Sequence, residues 1–196
     1  MAIPSKTSTT TAAAAAAAAD AKPTADIRAA TKDDAAAISA LGAHVFSATF
    51  GHSVPPHELD AYLTKEYSPA AIAADLANPA KNTIVAVDAS SGEVLGFAVL
   101  TRGTSEPCID ALANKVELQR IYVHPRAHGR GLGRALATKL EAMARDEGFA
   151  SIWLGVWEEN LSAQKAYEKW GYERVGEHDF VIGMVAQTDY ILVKKL

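Results

Sequence analysis

The densest chemical signal in the chain is the string from His124 to Arg134, HPRAHGRGLGR, in which Gly129, Gly131 and Gly133 alternate. Glycines at that spacing keep side chains away while backbone N–H groups turn toward a ligand. A strand ending at Val123 leads into the turn and a helix starting near Gly131 leaves it. The positive end of that helix adds to the amides, and the combination suits a diphosphate. Arg126, Arg130 and Arg134, with His124 and His128, give a local cationic concentration. Two familiar phosphate motifs do not fit. No G-x-x-x-x-G-K-[ST] string occurs, and a dinucleotide fingerprint needs G-x-G-x-x-G after the first strand with an acidic residue about 20 positions on. Taken alone, the turn also reads as a plain strand-to-helix connector with solvated arginines.

Elsewhere the reactive residue types are sparse. Cys108 is the only cysteine, which excludes a disulfide framework, a cysteine-based zinc site and a CxxC redox centre. No base stands near it in sequence, so it is not read as a nucleophile. His44, His52 and His57 lack metal-ligand spacing, and no metal is expected. Trp153 and Trp157 share a strand face and read as core.

The elements that must position the turn follow from hydrophobic period and turn chemistry. Residues 26–31 read as a strand, and Thr31, Asp33 and Asp34 as caps for a helix carrying Ala35, Ile38, Leu41 and Val45. Pro55-Pro56 opens a second helix and Ser68-Pro69 a short third one. Residues 83–88 and 94–100 form a hairpin around Ser91-Gly92, and 101–115 is irregular. A strand over 116–123 is expected to put Glu117, Gln119, Ile121 and Val123 on one face. Leu132, Leu136, Leu140 and Met143 mark a long helix closed by Gly148. A strand at 152–157, a helix at 160–170 closed by Gly171, and strands over 172–180 and 187–194 complete one mixed α/β domain at 26–196. Residues 1–25, with eight consecutive alanines, read as a disordered Ala/Ser/Thr-rich tail; an organelle signal is the weaker alternative.

With 196 residues, 19 Lys+Arg and 23 Asp+Glu, the net charge is −4, which argues against wrapping nucleic acid by bulk charge. No run of about 18 strongly apolar residues is present, so no membrane span is expected. The expected location is the cytoplasm.

The turn, followed by a helix and then by Asn160-x-x-Ala163-x-x-x-Tyr167-x-x-x-Gly171-Tyr172, resembles the GCN5-related N-acetyltransferase (GNAT) superfamily. Three pieces, IWLGVWEEN at 152–160, GEHDF at 176–180 and QTD at 187–189, look most like PaiA-type polyamine acetyltransferases. The superfamily pattern usually has Gln or Arg where this chain has His128. The resemblance implies a mostly antiparallel central sheet flanked by helices, with strands splayed around an acetyl-CoA cleft. It implies acetyl-CoA as co-substrate and a small-molecule amine as acceptor, with a polyamine and a homodimer as finer expectations.

It also implies roles. Glu117 matches a glutamate that acts as base through water, with a half-exposed strand carboxylate as the alternative. Tyr167 matches the general acid, with a packing aromatic as the alternative. Backbone groups of Ile121, Tyr122 and Val123 would meet the pantetheine arm. His128, Gly129, Arg130, Gly131, Leu132, Gly133 and Arg134 would hold the diphosphate. Asn160 and Ala163 share a helical face with Tyr167 toward the cofactor. A protein or peptide N-terminal acetyltransferase, and a CoA-binding regulatory module without turnover, are the competing functions.

Overall fold

The computed structural model describes residues 25–196. The tail expected at 1–25 lies outside the described residues except for Ala25, which already belongs to the first strand. In chain order the elements are β1 (Ala25–Ala29), α1 (Ala35–Phe50), α2 (Pro56–Tyr67), α3 (Pro69–Ala77), β2 (Lys81–Asp88), β3 (Val94–Thr101), β4 (Lys115–Val123), α4 (Leu132–Asp146), β5 (Ser151–Trp157), α5 (Leu161–Lys169), β6 (Glu173–Ile182) and β7 (Val185–Lys195). The local chemistry behind them is visible. Asp34 closes a capping box with Thr31 ahead of α1, Pro56 and Pro69 occupy first helical positions, and Ser68 caps Ala71 N–H.

One sheet runs β1-β2-β3-β4-β5-β7-β6, with every neighbouring pair antiparallel except β4 and β5. Its two faces are covered differently. Toward α4 and α5, Ala98, Leu100, Val116, Leu118, Ile152 and Leu154 pack with Leu136, Leu140 and Tyr167. Toward α1–α3, Val85, Phe97 and Val99 pack with Ile38, Phe46 and Tyr67. Coverage on both sides explains why all eight residues of β3 are buried.

The feature that makes a cleft lies in β4. Leu118 pairs with Leu100 and Arg120 with Val99, so Gln119 is an extra residue, a β-bulge. One inserted residue flips every later side chain. Val116 and Leu118 before it, and Ile121 and Val123 after it, all pack into the α4/α5 layer. Glu117 therefore does not share a face with Ile121 and Val123; it shares the opposite one with Tyr122. The bulge also bends the strand away from β5. Their pairing covers only Lys115–Glu117 against Ser151–Trp153, and beyond it β5 pairs with β7 alone.

Candidate active site

From Leu118 onward the β5-facing edge of β4 has no strand beside it. His124 N–H bonds Leu95 O across β3 at 2.8 Å. Alternation along the antiparallel ladder then aims the amides of Ile121 and Val123 into the splay, and that of Tyr122 back toward β3. Of the three backbone positions expected to meet the pantetheine arm, the outer two face the opening and the middle one does not.

The splay leads into the glycine turn. Gly129 and Gly131 hold φ of 72° and 78°, left-handed values at which a side chain would be strained, and nothing stands where their Cβ atoms would be. The first helical bond of α4 runs from Ala135 N–H to Gly131 O, so the amides of Leu132, Gly133 and Arg134 precede the ladder, and no acidic residue stands in that first turn. Three unpaired donors beside a left-handed glycine fit a diphosphate. A Cβ on Gly133 would meet Trp170 at 3.7 Å, an ordinary contact, so neither space nor backbone angle demands glycine there.

The charged side chains of the turn are partly committed elsewhere. His128 Nε2 donates to Val123 O at 2.9 Å, pinning the turn to the end of β4. Arg134 bonds Glu141 at 3.1 Å and lies 5.5 Å over the Trp170 ring, so its backbone amide, not its guanidinium, is its clearest offer to a ligand. Arg126 pairs with Glu93, and burial, with Arg126 adding, keeps the His124 imidazole below its usual pKa. Arg130 stays exposed at the turn. A cavity of about 160 Å³ beside it, lined by Ala25, Ile27, Leu95 and Leu132, is smaller than a coenzyme needs.

Asn160 and Tyr167 sit on the α4/α5 side. Asn160 Oδ1 accepts from Ala163 N–H at 3.2 Å, so the pair that the spacing placed along one face is first of all a helix cap. Tyr167 is 9% exposed and packs edge-on against Trp170 and Tyr172. Burial, with Tyr122 adding, raises its pKa, so the phenol stays protonated at neutral pH. Among the described residues nothing hydrogen-bonds that hydroxyl.

Across the sheet a second set of groups gathers, drawn from distant parts of the chain. Burial raises the Glu117 pKa; Thr104 lowers it and Glu106 raises it further. Arg120, 10% exposed at the side chain, bonds Asp75 of α3 at 2.9 Å and Glu66 of α2 at 3.0 Å, under the Tyr67 ring. Tyr67 and Tyr122 share a hydroxyl hydrogen bond of 2.7 Å. These contacts lash the two short helices to β4 over the opening. Glu66 is thereby committed to Arg120. Trp153 and Trp157 are buried on this same face, as expected. Sequence reasoning passed over Arg120, Tyr122 as a side chain, His178 and Asp189; the GEHDF and QTD strings holding the last two were the available signal.

The acetyltransferase (GNAT) family model matches residues 46–172. An uncharacterized N-acetyltransferase of Mycobacterium tuberculosis (strain ATCC 25618 / H37Rv) is 31% identical over 163 residues, covering 83% of this chain and 98% of that protein. One from Lactobacillus delbrueckii subsp. lactis is 32% identical over 158 residues, covering 80% and 89%. Among solved structures, PaiA N-acetyltransferase from Thermoplasma acidophilum, in complex with coenzyme A, superposes with a TM-score of 0.70 at 20% identity over 88% of this chain and 99% of that one. A GCN5-related N-acetyltransferase from Kribbella flavida gives 0.62 at 27% identity over 88% and 98%.

Proposed function

The chain belongs to the acetyltransferase (GNAT) family, an acetyl-CoA-dependent N-acetyltransferase, and on that premise we propose that its acceptor is a primary amine of a small molecule. One observation carries this reading. Tyr167 and the glycine turn lie on one side of the sheet and Glu117 on the other, and the splay between β4 and β5 is where the two sides communicate.

In this reading the amides of residues 129–134 hold the diphosphate, and those of Ile121 and Val123 hold the pantetheine arm along the bare strand edge. Acetyl-CoA supplies an activated acyl carbon and a thiolate leaving group. The acceptor comes from the α1–α3 side. An alkylamine of pKa near 10.4 costs about 4–5 kcal/mol to deprotonate at pH 7, so the site needs a base. Glu117, its pKa raised by burial, takes that proton through water. Tyr167 returns a proton to the departing sulfur. Direct transfer is the reading taken, since the exposed Cys108 has a raised thiol pKa and no hydrogen-bonded base among the described residues.

The Arg120 bonds to α2 and α3 support a covered, small-molecule site over the open groove of an N-terminal peptide acetyltransferase. A polyamine is the finer acceptor proposed. The proposal extends to a cytoplasmic location and to a homodimer through the outer strand β6, where Val175 and Val181 are exposed. No helix among the described residues is long and apolar enough to cross a membrane. Free-thiol release from acetyl-CoA, run with spermidine, with an N-terminal peptide and with neither, tests the reading. Release is expected with spermidine alone; release only with the peptide moves the assignment to the second class, and release with neither removes the small-amine reading.

A further inference from the structure

Asp189 of β7 is paired in register with Trp157 at the end of β5 and with His178 of β6. Its Oδ1 is buried without a hydrogen-bond partner. Its Oδ2 lies 4.0 Å from His178 Nε2, beyond hydrogen-bond length. On its other nitrogen, His178 holds Glu106 at 2.9 Å. Burial pushes the Asp189 carboxyl up to about 6, with His178 opposing and Glu158 adding, so it is ionised at neutral pH. A mostly buried carboxylate with its acceptor capacity unused is costly unless something completes it.

The backbone beneath it is shaped to admit that something. Along β5 only Gly155 is exposed, in a strand whose other residues are buried. A Cβ there would stand 3.3 Å from Asp189 Oδ2 and 3.8 Å from His178 Nε2. The glycine therefore keeps a small opening under the carboxylate. Around it lie Tyr122 of β4 and Tyr62 of α2, both within reach of the Asp189 charge, and the Trp157 ring covered by His52 and Phe50. Glu106, His178 and Asp189 do not make a metal-ligand group, and no Lys or Arg pairs with Asp189 among the described residues.

We propose that Asp189 is a specificity-determining residue that docks a cationic nitrogen of the acceptor other than the one acetylated. Gly155 is the floor of the dock, and the His178–Glu106 pair braces it. Register supports the separation of the two nitrogens. Glu117 pairs with Trp153 and Asp189 with Trp157. Four residues of strand span roughly 13 Å along the sheet, and β4 and β7 flank β5, about 10 Å apart across it, so the two positions stand about 16 Å apart. An extended diamine, one nitrogen at Glu117 and the other at Asp189, fits that arrangement. The inference rests on the small-amine reading.

The test compares 1,8-diaminooctane, whose nitrogens stand about 11 Å apart when extended, with octylamine, a probe of the same length with one charge. In Asp189→Asn, kcat/KM for the diamine is expected to fall about 10- to 100-fold more than for octylamine, the span of a charge-assisted hydrogen bond. Gly155→Ala, which keeps the charge and fills the floor, should show the same bias toward loss of the diamine. Equal losses for both amines, or none with the diamine, overturn the proposal. Calorimetric binding of the diamine reads the dock without turnover. If the wild-type protein acetylates neither amine yet binds the diamine only with Asp189 intact, the small-amine reading fails and the dock stands. If it binds no diamine, the dock fails.

Discussion

The two faces of the sheet are built in different ways. The proposed donor side, with the turn and Tyr167, comes from nearly contiguous chain: His124 to Arg134 and Asn160 to Tyr172 are each one strand-to-helix or helix-to-strand passage. The proposed acceptor side is assembled from Glu66, Asp75, Glu106, Glu117, Arg120, His178 and Asp189, which lie on five strands and helices and one loop. A diphosphate is common to every reaction that uses the coenzyme and can be gripped by backbone, which any sequence with the right glycines supplies. An acceptor differs from enzyme to enzyme, and side chains from separate elements must converge on it.

The sharpest way to break this division is to remove one proton-handling group from each face. Glu117→Gln keeps shape and loses the base, so kcat should fall about 100- to 1,000-fold. Tyr167→Phe should lower kcat about 10- to 100-fold. Both should leave acetyl-CoA affinity within about twofold by calorimetry, an order-of-magnitude bound for groups that act on protons and not on the diphosphate. Because burial raises the Glu117 pKa, the base is lost as pH falls, and the acidic limb of the kcat profile should vanish in Glu117→Gln. A Tyr167→Phe protein with full turnover would show that the aromatic merely packs.

That asymmetry also governs what could be read before the fold was known. Periodicity and capping located the helices and strands within a few residues, because Thr31, Pro56, Ser68 and Asn160 act locally. The three glycines and the Asn160–Tyr167 spacing are the sequence features on which the proposed donor side rests. The bulge at Gln119 did not announce itself. It has no glycine or proline signal, and it depends on how β4 pairs with β3, so simple alternation put Glu117 on the wrong face. Likewise Arg134 and His128 looked free in sequence, and their partners Glu141 and Val123 O come from the next turns of the fold. The QTD string marked Asp189 only as part of a resemblance, because what the side chain can do depends on Gly155 and His178 in neighbouring strands.

A milder perturbation sharpens the comparison from the donor side. Gly131→Ala forces a Cβ into a left-handed residue, costing about 1–2 kcal/mol of local strain, and nothing nearby would clash with the new methyl. The turn should relax out of its ligand-facing shape. KM for acetyl-CoA is expected to rise about tenfold, equivalent to about 1.4 kcal/mol, while the acceptor KM holds. If the acceptor KM rises as much, the two faces are not separable as drawn.

The smallest effect belongs to the acceptor layer's outer edge. Asp34, which begins α1, has its pKa lowered to about 2, mainly by hydrogen bonding to Arg28 at 2.7 and 2.8 Å, against the opposing effect of burial. A depressed folded-state value means that the carboxylate stabilises the fold above the unfolded pKa, and that the contribution fades as pH falls from about 4 toward about 2. Arg28 is half exposed, so solvent screens the pair, and the loss in Asp34→Asn at pH 6 should be about 1–2 kcal/mol. Urea unfolding at pH 6 and at acid pH reads it: the gap between wild type and variant should close as the wild-type carboxylate protonates. Because Asp34 lies almost three turns along α1 from His44, the α1 side chain that stacks on His124 ahead of the glycines, acetyl-CoA KM should be the same in both proteins at pH 7. A gap that persists unchanged at acid pH would mean that Asp34 stabilises α1 through packing alone, and a shifted acetyl-CoA KM would mean that the two layers report to one another through the sheet.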